Sequence, residues 1–223
     1  DNDDAISWYE NNGAADPSWT AADIATNADG AYGVFVADMD NDGDLDIVAA
    51  STNDDAISWY ENDGAANPSF SAADIATNAD GAASVFVADI DSDGDLDIVS
   101  ASANDDAIAW YENDGAANPS WSSSDIATSA DGAKSVFVAD MDGDGDLDVV
   151  SAAYGDDTIA WYENDGGSDP SWTARDIASS ADAGFGIFAA DMDGDGDMDI
   201  VSASANDDAI AWYENDGDVN PSW

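Results

Sequence analysis

The sequence predicts an all-β protein, a β-propeller built of four-stranded antiparallel blades on a 51-residue repeat, and three observations carry that expectation. Trp8-Tyr9-Glu10-Asn11 recurs at Trp59, Trp110, Trp161 and Trp212, always 51 residues on. A nine-residue acidic loop opening at Asp38, Asp89, Asp140 and Asp191 keeps the same step, as do Pro17, Pro68, Pro119, Pro170 and Pro221. Between these markers the apolar runs are short and bounded by proline or glycine, and none shows a sustained helical period with caps.

Residues 84–134 contain one complete unit. Val85-Phe86-Val87-Ala88 is an uninterrupted apolar run, as expected of an innermost strand buried on both faces. Leu96-Asp97-Ile98-Val99-Ser100 follows the acidic loop as a second strand. Ala107-Ile108-Ala109-Trp110-Tyr111 follows the Asn104-Asp105-Asp106 turn as a third, and residues 121–128 follow Asn118-Pro119 as a fourth. A β-solenoid is the competing architecture. Its coils are usually shorter, and it has no need of two aromatic positions per unit, here Trp110 and Trp121, to fill gaps between twisted sheets.

The repeat divides the chain into a partial blade at 1–32, blades at 33–83, 84–134 and 135–185, and an incomplete blade at 186–223, with no separate domain or linker. Two strands are expected before Val34, twelve in the full units and three from Ile187 onward, seventeen in all. A closed four-bladed ring would use sixteen and a five-bladed ring twenty. Residues 1–19 repeat the pattern of 205–223, so the ends overlap instead of complementing each other. The chain is therefore expected to contribute blades to a larger propeller or array. An unpaired edge strand around Ile6 and Trp8 calls for cover by another chain or another part of the same array.

With 44% hydrophobic residues the chain can bury a core, which sets aside a disordered acidic tail. Against 51 acidic residues stand only Lys134 and Arg175, a formal net charge of −49 that excludes nucleic acid and anionic membrane surfaces as partners. Such an excess of carboxylate pushes a compact state apart unless cations bind it or screen it. There is no cysteine and no histidine, so disulfides, thiolate sites and imidazole sites are ruled out. No apolar run reaches the length of a bilayer span, so no membrane insertion is expected. The opening at Asp1, without methionine or signal sequence, reads as a mature product or an excised piece.

Asp38-Met39-Asp40-Asn41-Asp42-Gly43-Asp44-Leu45-Asp46 puts aspartate at every odd position and glycine at the sixth, and the pattern occurs four times. Hard oxygen donors at this density suit calcium, which takes six to eight oxygens in flexible geometry. Magnesium demands a stricter octahedron, and transition metals lack their nitrogen and sulfur ligands here. Gly43 can take a positive φ, letting the loop fold back so that side chains one, three, five and nine converge with a carbonyl at position seven. A merely solvated acidic turn would leave four carboxylates repelling one another in every copy. An EF-hand reads similarly through Gly43, but its twelfth position is Ala49 and the flanks are strand-like.

The loop, following Val-Phe-Val-Ala, resembles the FG-GAP or VCBS repeat along the whole chain. The resemblance implies blades of a calcium-binding propeller, as in integrin α-subunit heads, some fungal lectins and many secreted bacterial surface proteins, with about one calcium ion per loop and four in the chain. It also implies Asp38, Asp40, Asp42 and Asp46 as side-chain ligands with Asp44 as carbonyl donor. Likewise it implies Asp89, Asp91, Asp93, Asp95 and Asp97, then Asp140, Asp142, Asp144, Asp146 and Asp148, then Asp191, Asp193, Asp195, Asp197 and Asp199. Family propellers commonly close with about seven blades, and only four acidic loops are present here.

Glu10, Glu61, Glu112, Glu163 and Glu214 are the only glutamates. One in every unit, each after a Trp-Tyr pair, indicates a structural role, because general acid–base work wants a partner of tuned pKa and no histidine supplies one. No enzyme activity is expected. The nine tryptophans read as core between blades before they read as sugar-stacking platforms. Two positions differ between copies: Tyr32, Ala83, Lys134 and Phe185 at one, Thr52, Ala103, Tyr154 and Ala205 at the other. Lys134 and Arg175, isolated in separate repeats, make no phosphate site. The expected function is a secreted or cell-surface adhesion scaffold, stabilised by calcium and contacting a protein or glycan ligand. The alternatives are a carbohydrate-binding lectin, or a non-catalytic accessory domain of a secreted polysaccharide-degrading enzyme whose catalytic sequence lies elsewhere.

Overall fold

The computed structural model describes residues 4–218 and 220–223. Residues 1–3 at the head of the partial blade and Val219 in the incomplete one lie outside the described residues. Seventeen strands form among the described residues, all in antiparallel sheets. A two-stranded sheet comes first, β1 (Ile6–Asn11) and β2 (Trp19–Ala25). The first full sheet is β3 (Ala31–Ala37), β4 (Asp46–Ser51), β5 (Ala56–Asn62) and β6 (Phe70–Ala76). The second is β7 (Ala82–Ala88), β8 (Asp97–Ser102), β9 (Ala107–Asn113) and β10 (Trp121–Ala127). The third is β11 (Ala133–Ala139), β12 (Asp148–Ala153), β13 (Thr158–Asn164) and β14 (Trp172–Ala178). A three-stranded sheet ends the row, β15 (Gly184–Ala190), β16 (Asp199–Ser204) and β17 (Ala209–Tyr213).

Strands pair in sequence order within each sheet, as short loops between antiparallel neighbours dictate. The register sets the two faces. Val48 lies opposite Trp59 and Ile47 opposite Tyr60, and the same pairs recur as Val99 with Trp110 and Ile98 with Tyr111. Because side chains alternate, Trp110 and Tyr111 face opposite ways and serve different neighbours.

The sheets pack face to face in a row, β3 against β7, β7 against β11 and β11 against β15. At the first seam Met39, Val48, Ala50, Ile57 and Trp59 of one sheet meet Val85, Val87, Ile98, Ala109 and Tyr111 of the next. The second seam repeats this with Ile90, Val99, Ile108 and Trp110 against Val136, Val138, Val149 and Tyr162. Trp121 packs into the first seam and Trp110 into the second, so the two aromatic positions of one repeat fill gaps on opposite faces. Each large side chain buried in this way contributes about 1.5–3 kcal/mol. The innermost strands add a ladder of tilted rings, Phe35, Phe86, Phe137 and Phe188, with centroids 4.9, 4.9 and 4.8 Å apart. The variable position contributes too: Tyr32 and Phe185 approach to 6.3 Å between ring centroids, bringing one end of β3 near one end of β15.

The outer turns are built on aspartate in the left-handed region, a conformation that aspartate tolerates better than most side chains. Asp55 has φ 54°, its carbonyl accepts from the Ala79 N–H at 2.9 Å, and its side chain accepts from the Gly81 N–H at 3.1 Å. Gly30, Gly81 and Gly132 then adopt φ near 70° at the start of each inner strand, where the fourth copy has Ala183 at φ 57°. Alanine there bears the Cβ penalty that glycine avoids. Ala183→Gly is expected to raise the unfolding free energy by about 1 kcal/mol. A higher denaturant midpoint at unchanged m-value is the readout.

Candidate metal centres

Each acidic loop joins the first strand of a sheet to the second, from Ala37 at the end of β3 to Asp46 at the start of β4 in the first copy. The loop folds on its own main chain. Asp38 accepts from the Asp42 N–H at 3.1 Å and the Gly43 N–H at 3.0 Å, and Asp42 accepts from the Asp44 N–H at 2.9 Å. Gly43, Gly94, Gly145 and Gly196 hold φ of 97°, 101°, 101° and 106°, the fold-back that the sixth position requires.

Carboxylate oxygens gather within 4.8 Å of one another in all four loops. The groups are Asp38, Asp40 and Asp42; Asp89, Asp91 and Asp93; Asp140, Asp142 and Asp148; and Asp191, Asp193 and Asp195. Burial, and then the charge of Asp42, Asp93 or Asp144 beside them, raises the pKa of Asp40, Asp91 and Asp142. Three oxygen donors at this separation, with their mutual repulsion unrelieved by any lysine or arginine, fit a hard divalent cation such as calcium. Bound there, such an ion would offset part of the loop's negative charge and hold these carboxylates together.

The seventh and ninth aspartates do different work. The position-seven carboxylates stand outside these groups and lie against a glycine two residues past the Trp-Tyr-Glu-Asn motif. A Cβ on Gly64 or Gly115 would fall 2.0 Å from an oxygen of Asp44 or Asp95. Asp146 and Asp197 meet Gly166 and Gly217 in the same way. The position-nine residues Asp46, Asp97, Asp148 and Asp199 are each 1% exposed. Both oxygens of Asp97 are used, accepting from the Ile90 N–H at 3.1 Å and the Asn113 N–H at 2.8 Å, and the other three follow suit. Only Asp148 also joins a donor group. Burial pushes the pKa of Asp97 and Asp148 up to about 7 despite these amide donors, and raises that of Asp46. The buried indole N–H of Trp110 steadies the Asp97 carboxylate slightly without reaching hydrogen-bond geometry.

The asparagine that closes the Trp-Tyr-Glu-Asn motif carries a role that sequence reasoning missed. Asn113 Nδ2 donates to the Leu96 carbonyl of its own loop at 3.1 Å and to the Met39 carbonyl of the preceding loop at 3.0 Å. Asn164 does the same with Leu147 and Ile90, and Asn215 with Met198 and Met141. Its unbroken recurrence beside the glycine two residues on was the available signal. Of the glutamates, Glu163 pairs with Arg175, which also lies over the Trp161 ring at 5.1 Å and donates to Asn220 at 3.0 Å.

The chain belongs to the FG-GAP-like repeat family, which matches at residues 1–49, 38–100, 89–151 and 140–202. No curated protein is detectably similar to it. Among solved structures, it is similar to an Agrocybe aegerita lectin described as recognising non-reducing terminal N-acetylglucosamine. The TM-score is 0.55 at 21% identity, over 85% of this chain and 51% of the lectin. It is also similar to the V. cholerae biofilm matrix protein Bap1, at TM-score 0.53 and 19% identity, over 93% of this chain and 30% of Bap1. The chain thus spans about half of the one and under a third of the other, and at these identities the likeness is one of fold.

The buried aspartates give the metal-free protein a definite pH response. A carboxyl whose folded pKa lies above its unfolded value binds protons more tightly when folded, so its contribution is present at low pH and lost as pH rises through the folded pKa. For Asp97 and Asp148 that window runs from about 4 to about 7. Asp63, Asp165 and Asp216 work in the opposite sense, held below the ordinary value by the hydroxyls and N–H groups of Ser69, Ser171 and Ser222. Their contribution is lost only as pH falls below about 4. Melts in chelator are therefore expected to show Tm falling steadily between pH 4 and pH 7.

Proposed function

We infer that this chain is a calcium-stabilised extracellular scaffold, a run of propeller blades divided at 33–83, 84–134 and 135–185 with partial blades at either end. It works by presenting a rigid surface to a protein or glycan ligand outside the cell. The observation that supports this best is the coupling of each acidic loop to the seam beside it. The donor groups sit on loops rooted at a buried aspartate such as Asp97, which accepts from the Asn113 N–H, and the buried Asn113 side chain reaches the Met39 carbonyl of the preceding loop. A cation held by Asp89, Asp91 and Asp93 therefore stiffens the loop that locks two sheets together. Asp95 contributes through its carbonyl, and Asp97 both anchors the loop and adds a ninth-position carboxylate to the donors, as Asp46, Asp148 and Asp199 do in the other copies.

A ligand at a hundred times its dissociation constant adds about 2.7 kcal/mol per site. Four independent sites give about 11 kcal/mol, comparable to the whole stability of a domain. Chelation is expected to lower Tm by about 20 °C or more. Calorimetric titration should return about four calcium ions per chain. A melt unchanged by chelator would overturn the calcium reading.

A second reading, a lectin, is favoured by a pocket that recurs at the sheet boundaries. In its largest copy, about 280 Å³, Asp54, Ser58, Tyr60 and Asp74 converge, with Ser58 donating to Asp74 at 2.9 Å. Smaller copies hold Asp105, Tyr111 and Asp125, and Asp156, Tyr162 and Asp176. Hydroxyls and carboxylates beside an aromatic ring are the groups that hold sugar hydroxyls. On a glycan array in calcium, Asp74→Asn should reduce binding at least about tenfold with Tm preserved if these pockets bind. Equal binding by wild type and variant would remove this reading. The same preparations are expected to cleave no polysaccharide, since every carboxylate motif is repeated and no histidine or cysteine is present.

A further inference from the structure

The pockets at the sheet boundaries follow one plan but are not alike. The first holds about 280 Å³, whereas those beside Tyr111 and Tyr162 hold about 60 and 100 Å³, room for a few waters. An exchange of side chains sets the first apart. In the second and third copies Ser100 and Ser151 approach the tyrosine hydroxyls at 3.5 and 3.4 Å, and Ala109 and Ala160 line the wall. In the first, Ala49 stands in place of that serine and Ser58 in place of that alanine. Ser58 donates to Asp74 at 2.9 Å, and the Tyr60 hydroxyl beside it makes no hydrogen bond among the described residues, nor does the hydroxyl of Ser51. Tyr60 and Ser51 are 5% and 2% exposed and both line the pocket, so its floor presents two buried hydroxyls without partners. Buried polar groups seldom stay unpaired.

The rim carries charge. Asp54 accepts from the Asp29 N–H at 2.8 Å through one oxygen and Asp74 from Ser58 through one, leaving the second oxygen of each free among the described residues. No lysine or arginine lines the pocket, and Ala28, Ala56 and Ala72 add a small apolar surface to it. Neither aspartate joins the three-carboxylate groups of the acidic loops. Two carboxylates are too few for a hard divalent ion that takes about six to eight oxygens.

We propose that the pocket at Tyr60 binds a single amino sugar with a free amine, its ammonium between Asp54 and Asp74 and its hydroxyls on Ser51 and Tyr60. The inference rests on the lectin reading and narrows it to one pocket and one class of sugar. An ammonium makes charge-assisted hydrogen bonds to both open carboxylate oxygens. A neutral sugar leaves their repulsion unrelieved in a chain of net charge −49. An N-acetyl group removes the charge while adding bulk to a pocket at the small end of ligand sites. The ring hydroxyls supply the floor with partners that a bare alkylammonium lacks.

Titration of the full chain in calcium, followed by NMR at about pH 6 where such an amine is protonated, compares glucosamine, N-acetylglucosamine, glucose and Nα-acetyl-lysine amide. Glucosamine is expected to bind at least about tenfold more tightly than each of the others, and to weaken as salt rises from about 0.05 to about 0.5 M. Asp54→Asn and Asp74→Asn should each cost at least about tenfold with Tm preserved, since asparagine keeps an acceptor for the Asp29 N–H and the Ser58 hydroxyl. Asp125→Asn, at the counterpart of Asp74 in the second copy, should change nothing. Glucose or N-acetylglucosamine bound as tightly as glucosamine, and lost with Asp74→Asn, would overturn the amine and leave the lectin reading standing. No sugar bound at all would remove both. Equal binding of the lysine amide, or an equal loss with Asp125→Asn, would also overturn the proposal.

Discussion

Fifty-one carboxylates and two cationic side chains must share one compact fold, and every other feature of the molecule answers to that repulsion. The chain's first resource is its own main chain. Asp38 points at the Asp42 and Gly43 amides, Asp46 at Met39 and Asn62, Asp55 at Gly81, and Asp63 at Ala65 and Ser69. Each N–H brings a partial positive charge to an oxygen that no lysine or arginine reaches. Among the described residues a single ion pair, Glu163 with Arg175, supplements this supply. At the third and fifth loop positions each carboxylate has one amide donor, Asp42 N–H for Asp40 and Asp44 N–H for Asp42, and there the carboxylates crowd together, which is where a cation has most to offer.

Packing and charge are arranged on one axis. The apolar residues of a strand fill the seams on either side, and the acidic loops connect the first strand of each sheet to the second. Buried aspartates at the root of each loop, such as Asp97, link the two systems, because their oxygens fix both the loop and the following third strand. Burying Asp46, Asp97 and Asp148 disfavours their charged form, so these three repeats of the metal-free protein lose stability as pH rises.

Strand content was legible because the signals were local and repeated: Val85 to Ala88, the Asn104-Asp105-Asp106 turn and the Pro119 punctuation each stand where a strand begins or ends. The convergence of Asp38, Asp40 and Asp42 followed from alternate spacing with glycine at the sixth position. Spacing alone could not show that Asp46 would also accept from main-chain donors, since that depends on Asn62 sixteen residues on. Nor could it show that the Asp44 side chain would turn toward Gly64, or that Asn113 would reach a carbonyl 74 residues earlier. These are tertiary facts, encoded in the sequence only as invariance across copies.

The asparagine bridges run in one direction. Asn113 reaches back to Met39, Asn164 to Ile90 and Asn215 to Met141, whereas the Asn62 Nδ2 donates to its own Leu45 alone among the described residues. The last three sheets are thus each fastened to their predecessor, and loss of order is transmitted between neighbours. The row behaves as a zipper with a grain. Peeling away the last sheet leaves a carbonyl without its donor in the loop before it, while peeling away the first removes the acceptor on which the second sheet's asparagine depends. Fraying from one end and from the other are therefore different events, written into a chain of nearly identical parts.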